Sequence, residues 1–168
     1  LPFISRLVNM LEHLLKPKKR EVSEPHHLHE SVLGLSDTAI RAVQREAQHL
    51  FDNAFNVIAS VLNYNPETLR GATPMETLTQ MPTKVHEIDI DAMYERKVKY
   101  LYGEINKFIS RAQATTSPDQ NDDLHRLRHA IRDIAGAVKA IKHLQKNLVR
   151  FLSSDNEDMR DEYLNIRA

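Results

Sequence analysis

The sequence predicts an all-α protein: an up-down antiparallel helical bundle of three long helices, with an N-terminal amphipathic helix and a truncated fourth helix at the end. Two observations predict this class. Only four of the 168 residues are Gly and none is Trp, while the helix-favouring residues Ala, Leu, Lys, Glu and Arg are abundant. Apolar residues also recur at steps of three and four over three long segments, whereas strand-like alternation never exceeds a few residues.

Each of the three segments carries one apolar seam with a period near 3.5 residues. Such seams are typical of helices that pack almost parallel or antiparallel, and three of them can close one bundle. The first seam is Ile40, Val43, Ala47, Leu50, Ala54, Val57 and Val61. The second is Ile90, Tyr94, Val98, Leu101, Ile105 and Phe108. The third is Leu124, Leu127, Ile131, Ile134, Val138, Ile141, Gln145, Leu148 and Leu152, in which Gln145 is either a register pin or a gap.

The helix boundaries follow from the seams and from start signals. We predict long helices over Asp37 to Asn63, Lys84 to Gln113 and Pro118 to Ser153. Ser117 to Gln120 reads as a capping box with Pro at the first helical position. Similar signals predict a short helix from Thr73 to Glu76 onward and a further helix from Ser154 to Glu157 onward. The residues expected to be buried together are Ile134, Val138, Ile141, Leu101, Ile105, Leu50 and Val57.

The first 35 residues differ from the bundle. Residues 1–20 form a predicted amphipathic helix and a basic patch, residues 21–35 a predicted extended linker, residues 36–153 the bundle, and residues 154–168 the start of a further helix. The helix has its apolar residues on one face and its polar residues on the other. The apolar face is Phe3, Leu7, Leu11, Leu14 and Leu15, and the polar face is Ser5, Arg6, Asn9, Glu12 and His13. It ends at Pro17 within the basic cluster Lys16, Lys18, Lys19 and Arg20.

Composition excludes several classes of function. Lys plus Arg and Asp plus Glu each number 23, so the formal net charge is zero, which argues against a nucleic-acid partner. The absence of Cys excludes a disulfide scaffold and a thiolate zinc site. No apolar run approaches the roughly 20 residues that span a bilayer. Because the chain begins at Leu1, we expect it to be a piece of a longer protein.

Several stretches, taken in order, resemble the PhoU-like cytosolic domain of bacterial sodium/phosphate cotransporters. Residues 1–20 resemble the exit from the last membrane span of that family. There the next features are a Pro, a short extended segment and an Ala- and Arg-rich helix with a Glu, here Pro25 to Leu28 and Ala39 to Glu46. Glu87 to Tyr94 is similar to the acidic entry of a PhoU helix, and Asp123 to Val138 is similar to a later PhoU helix.

The resemblance also implies a candidate metal site, with one departure. PhoU proteins bind metal through a Glu and an Asp four residues apart, and His125 and His129 stand at those positions here. Two imidazoles one turn apart suit zinc, nickel or ferrous iron. Asp91 and Glu87, with Glu95, form an acidic row on the preceding helix. The alternative is that both rows are solvated polar faces. The only cofactor hypothesis is thus a divalent metal.

Other polar motifs are less specific. The tract from His26 to Glu30 is rich in His, but it lies in the predicted linker, so adventitious metal binding is the simpler interpretation. His143 and Lys146 are similar to the H-x-x-K of histidine phosphotransfer bundles, although Asn147 follows where that family has Gly. No Ser/His/Asp grouping or Gly-rich phosphate loop is evident, so we expect no enzymatic activity.

The resemblance and the basic cluster together predict a regulatory or structural domain of a sodium-dependent phosphate transporter. Each Lys or Arg near an anionic leaflet contributes about 1 kcal/mol, and the cytosolic flanks of membrane spans collect such residues. The expected partners are the transmembrane part of the same transporter, an anionic membrane surface and a second copy of the bundle. The expected location is the cytoplasmic face of the inner membrane. A free-standing PhoU-like phosphate-signalling regulator with a surface metal and a histidine phosphotransfer bundle remain as alternatives.

Overall fold

The computed structural model of the protein describes residues 22–71 and 88–167. Within these ranges the chain is all-helical, with five helices and no strand. The all-α prediction is therefore confirmed. In the described residues, no helix is both long enough and apolar enough to cross a membrane.

The three long helices lie on their predicted seams, but the second begins at Ile90, after the cap residue Asp89, and Ile88 and Asp89 are not helical as predicted. Helix α1 is Ser36–Val61, and α2 is the short helix Pro66–Arg70. Helix α3 covers 90–112 and is continuous through three parts, Ile90–Met93, a π-helical turn Tyr94–Lys99 and Tyr100–Ala112. Helix α4 is Pro118–Leu152, and α5 is Glu157–Arg167.

Local capping explains where the helices begin. Ser117 and Gln120 form the predicted capping box at the start of α4. At α5 the cap is Asn156, whose side-chain oxygen accepts the Asp158 backbone N–H at 2.8 Å, so this helix begins at Glu157. Helix α2 was not predicted; Asn65 caps it, and a Pro occupies its first helical position. The short helix predicted from Thr73 onward lies outside the described residues.

Hydrogen bonds at the helix ends fix the direction of each long helix. The Gln120 side chain donates to Asp37 Oδ1 at 2.9 Å, so α1 and α4 begin at the same end of the bundle. The Gln145 amide donates to the carbonyl of Ile88 at 2.9 Å, so α3 begins near the far end of α4. Helix α3 therefore runs antiparallel to its two neighbours. The Gln145 contact supports its interpretation as a register pin.

The core lies between α1, α3 and α4. Leu50, Val57, Leu101, Ile105 and Val138 are fully buried there, as predicted. Ile134 and Ile141 pack against this core but are only partly buried, so the prediction for those two residues is wrong in degree. The fully buried residues of α4 include Leu124, Ile131 and Val138, which are spaced by seven. The seam is therefore centred on this row, and the row of Leu127, Ile134 and Ile141 lies at its edge. Ile134 instead lines an open groove between α1 and α4.

Helix α5 closes one end of the bundle. Its Tyr163 is fully buried, and the phenol donates to the carbonyl of Leu62 at 3.2 Å while accepting the Asn63 side-chain amide at 3.0 Å. Asn63 follows α1 and has a positive φ of 58°, which Asn tolerates better than most residues. The turn after α1 is thus held by a residue about one hundred positions later in the chain.

Candidate functional site

The part of the predicted linker before α1 is packed against the bundle. Residues 22–29, called the strap below, have no regular structure and are followed by a 3₁₀ turn, Glu30–Val32. The backbone N–H of Ser23 donates to the carbonyl of Arg96 on α3 at 3.0 Å. Leu28 packs against the core. The strap therefore contacts both α1 and α3, so this part of the predicted linker is attached to the bundle.

Glu46 holds the strap on α1. It is the one fully buried charged residue among those described, and its Oε2 accepts the backbone N–H groups of His26 at 2.9 Å and His27 at 2.7 Å. A buried carboxylate is costly unless it is hydrogen-bonded, and charge-assisted bonds to backbone amides are among the stronger hydrogen bonds. The strap therefore supplies the hydrogen bonds that the buried Glu46 carboxylate needs, and Glu46 in turn attaches the strap to α1.

His49 satisfies the other oxygen of the Glu46 carboxylate. Its Nδ1 lies 2.7 Å from Glu46 Oε1, and its ring stacks on that of His26, with centroids 4.2 Å apart and planes at 15°. The remaining ring nitrogen, Nε2, is 3.2 Å from Ser23 Oγ, which also accepts the Asn53 side-chain amide at 2.8 Å. Which of Ser23 Oγ and His49 Nε2 donates depends on the His49 tautomer. Ser23, His26, Glu46, His49 and Asn53 form what is called the Glu46 cluster below.

The order Ser23, His49, Glu46 has the same connectivity as a Ser–His–carboxylate triad. That chemistry also needs donors aimed at a developing oxyanion. Here the Ser23 N–H is donated to Arg96, and the Asn53 amide is donated to the Ser23 hydroxyl oxygen itself. A pocket of about 350 Å³ opens beside the cluster and is also lined by Lys97. The Ser23 N–H and the Asn53 amide are thus already engaged, and the arrangement suits attachment of the strap better than acyl transfer.

The predicted metal ligands are not brought together. His125 lies near the start of α4, with Nε2 3.4 Å from the Gln113 side chain at the end of α3. Asp91 lies at the other end of α3 and pairs with Lys142, whose pKa it raises by accepting a hydrogen bond from the ammonium group. Lys142 is thirteen positions beyond His129, which is about 20 Å along a helix.

The physical reason for this separation is the antiparallel pairing of α3 and α4. Glu95 pairs with Lys99 on its own helix, and Glu87 lies outside the described residues. Among the residues that the structure describes, no group of three His, Asp or Glu side chains is arranged to hold a metal ion. His125 and His129 are both exposed.

The other predicted motifs have varied outcomes. The tract from His26 to Glu30 is tied into the bundle, since His26 stacks on His49 and Glu30 accepts from Arg111 at 2.9 Å. His143 and Lys146 are exposed on α4. The amphipathic helix and the basic cluster Lys16, Lys18, Lys19 and Arg20 lie outside the described residues, so their membrane-surface role stays a prediction.

The Glu46 cluster was not predicted from the sequence, although one signal for it was present. Glu46 lies three residues after Val43 and four before Leu50, within the register of the first apolar seam. A charged residue at such a position needs a buried partner. The partner comes from the strap, which precedes α1 and has no periodic pattern that would place it.

We compared the chain with models of protein families, with curated proteins and with solved structures, and found no significant match.

Proposed function

We propose that this chain is a cytosolic PhoU-like domain, with a regulatory or structural role, of a sodium-dependent phosphate transporter. The observation that carries the proposal is the contact between Glu46 and the strap. The resemblance to this family rests on a Pro, a short extended segment and an Ala- and Arg-rich helix with a Glu. In this chain those three features are one physical unit, because Glu46 binds the two backbone amides that directly follow Pro25.

The strap is well placed to couple the bundle to whatever precedes it in the chain. It binds α1 through Glu46 and α3 through the carbonyl of Arg96, so a displacement of the strap acts on both helices at once. The transmembrane part of the transporter would move the strap, and the bundle would transmit that state to a second bundle or subunit. No residue of the bundle is assigned to sodium or phosphate during transport.

The proposal places the bundle at the cytoplasmic face of the inner membrane. Residues 1–20 would lie at the headgroup boundary, with the apolar face inward and Lys16, Lys18, Lys19 and Arg20 against anionic lipid. The antiparallel course of α1, α3 and α4 supports the up-down arrangement that the PhoU-like interpretation requires.

The test uses the protein with its complete native sequence, purified and reconstituted in proteoliposomes. We expect phosphate uptake that depends on a sodium gradient. Glu46→Ala should change the rate or the sodium dependence of that uptake, while Gln44→Ala, an exposed position on the same helix, should leave it unchanged. Absence of sodium-dependent phosphate uptake would contradict the transporter assignment. Equal uptake by the two variants and the parent would contradict only the role of the strap.

A further inference from the structure

An open apolar groove runs along α1 at the edge of the core. It has a volume of about 520 Å³ and is bordered on the other side by Ile134 and Ala137 of α4. Its α1 wall is a second stripe at steps of four, three and four, consisting of Phe51, Phe55, Ile58 and Leu62. Phe51 is 49% exposed. Phe55, Ile58 and Leu62 are partly buried, and Leu69 of α2 and Arg167 of α5 also line the groove. Among the described residues the stripe is therefore only partly covered, and least so at Phe51.

We propose that the groove is the docking site for the apolar face of residues 1–16, with that segment as a helix antiparallel to α1. The apolar face of the segment has the same length as the stripe on α1. Phe3 to Leu14 covers eleven positions, as does Phe51 to Leu62, and each corresponds to about 16 Å of helix. The apolar residues of the segment are also spaced like the stripe, at steps of four, four and three.

The position of the strap also allows residues 1–16 to reach the groove. Ser23 contacts Asn53, which is two residues from Phe51 on α1. At about 100° per residue these two positions lie on roughly opposite sides of the helix. Five residues, 17–21, separate the segment from the strap and span about 17 Å when extended. Half the girth of a helix about 10–12 Å wide is about 16–19 Å, so the connection can just reach round α1.

This short connection also fixes the direction of docking. It reaches only the end of the groove that is level with the strap, which is the Phe51 end. Leu14 must then lie near Phe51, and Phe3 must lie towards Leu62. The intermediate pairs are Leu11 with Phe55 and Leu7 with Ile58.

The proposal goes beyond the transporter assignment and does not depend on it. The apolar face that docks in the groove is the face proposed above to enter the membrane boundary. The segment cannot occupy the groove and the membrane surface at the same time. Docking is therefore tested on the full chain in dilute solution without lipid.

The chain contains no Cys, so disulfide cross-linking can be read without background. We expect the double variants Leu7→Cys/Ile58→Cys and Leu11→Cys/Phe55→Cys to form an intramolecular disulfide under mild oxidation. Disulfides require Cα atoms about 4.4–6.8 Å apart. The control Leu7→Cys/Arg45→Cys puts the second thiol at an exposed position about 20 Å further along α1 and should react at least ten times more slowly. Equal rates would overturn the proposal, and so would a disulfide between two chains, which would make a second copy the occupant.

A second measurement removes any dependence on disulfide geometry. In a chain with the single substitution Phe51→Cys, at the most exposed residue of the stripe, we expect Leu7→Glu/Leu11→Glu to raise the rate of thiol alkylation at least tenfold. The matched control Asn9→Glu/His13→Glu changes two residues of the polar face to Glu and should leave the rate unchanged. Protection that survives Leu7→Glu/Leu11→Glu would mean that another segment covers the groove and would overturn the proposal. Full reactivity in the Phe51→Cys parent would overturn it as well.

Discussion

The buried carboxylate of Glu46 accepts the backbone N–H of His27 at 2.7 Å, although 19 positions separate the two residues. The contact makes the segment before α1 part of the folded domain. Because the same oxygen also accepts the N–H of His26, loss of this one side chain removes the acceptor of two backbone amides.

The first prediction concerns that acceptor. Glu46→Ala should destabilise the protein by about 1.5–3 kcal/mol, the usual range for hydrogen bonds to a charged group. Amide exchange in residues 22–29 should accelerate more than exchange in α4, since the strap opens locally. Glu46→Gln should cost less because its amide oxygen still accepts both N–H groups. Hydrogen-exchange mass spectrometry checks this, and unchanged exchange of the strap in Glu46→Ala would contradict the attachment.

A second prediction separates two neighbouring residues of α4. Ile131 is fully buried, so Ile131→Ala should cost about 2–5 kcal/mol, whereas Ile134→Ala should cost less because that side chain lines the open groove. Lys146→Ala, at an exposed site, should change stability by under about 0.5 kcal/mol. The measurement is urea unfolding of the three variants. A larger loss for Ile134→Ala than for Ile131→Ala would mean that the helix faces are assigned incorrectly.

The third prediction tests Gln145 as a register pin. Gln145→Leu removes the hydrogen bond to the carbonyl of Ile88 and should lower stability by about 0.5–1.5 kcal/mol. Asn147→Leu introduces the same side chain at an exposed position two residues later and serves as the control. Thermal unfolding of both variants is the measurement. An equal or smaller loss for Gln145→Leu would show that the start of α3 does not depend on this contact.

The fourth prediction concerns the basic cluster. Vesicle binding by the chain should require anionic lipid and weaken as salt rises, because the Debye length is only about 8–10 Å near physiological salt. Changing Lys16, Lys18, Lys19 and Arg20 to Gln removes about 1 kcal/mol each, or up to about a thousandfold in affinity.

Co-sedimentation with anionic and with neutral vesicles is the measurement for that cluster. The control removes four cations from exposed positions of α4 instead, Arg126, Arg132, Lys139 and Lys146. Equal pelleting of the two quadruple variants would contradict a specific role for residues 16–20.

The fifth prediction follows from the separation of His125 from Asp91. Calorimetric titration with zinc should give the same result for the parent chain and for His125→Ala/His129→Ala. The reason is that Asp91 lies beside Lys142, about 20 Å along α4 from His129. Any weak binding by the tract from His26 to Glu30 is common to both proteins. Loss of a stoichiometric zinc site in the double variant would contradict the geometry.

The helices were predictable because their pattern is local. Residues such as Leu101, Ile105 and Val138 recur at helical spacing, and Ser117 and Gln120 mark a start whose geometry depends on four residues. The Glu46 cluster was not predictable in this way, because it joins residues of the strap to α1 across 19 to 30 positions. The separation of His125 and His129 from Asp91 was not predictable for a related reason: spacing places the two His on one turn but does not tell which end of α3 lies beside them.

The π-helical turn Tyr94–Lys99 has a consequence for how this chain relates to others. A π-helical turn is equivalent to an α-helix with one additional residue, so these six residues occupy the length of an ordinary α-helical stretch one residue shorter. In any homologue that lacks this additional residue, the apolar seam before Tyr94 would rotate relative to the seam after Lys99 by about 100°. The carbonyl of Arg96, which accepts the Ser23 N–H, lies within this turn, so its direction would change as well. A single-residue gap at this place in an alignment would therefore mark a homologue whose first residues are attached differently, even where Glu46 is retained.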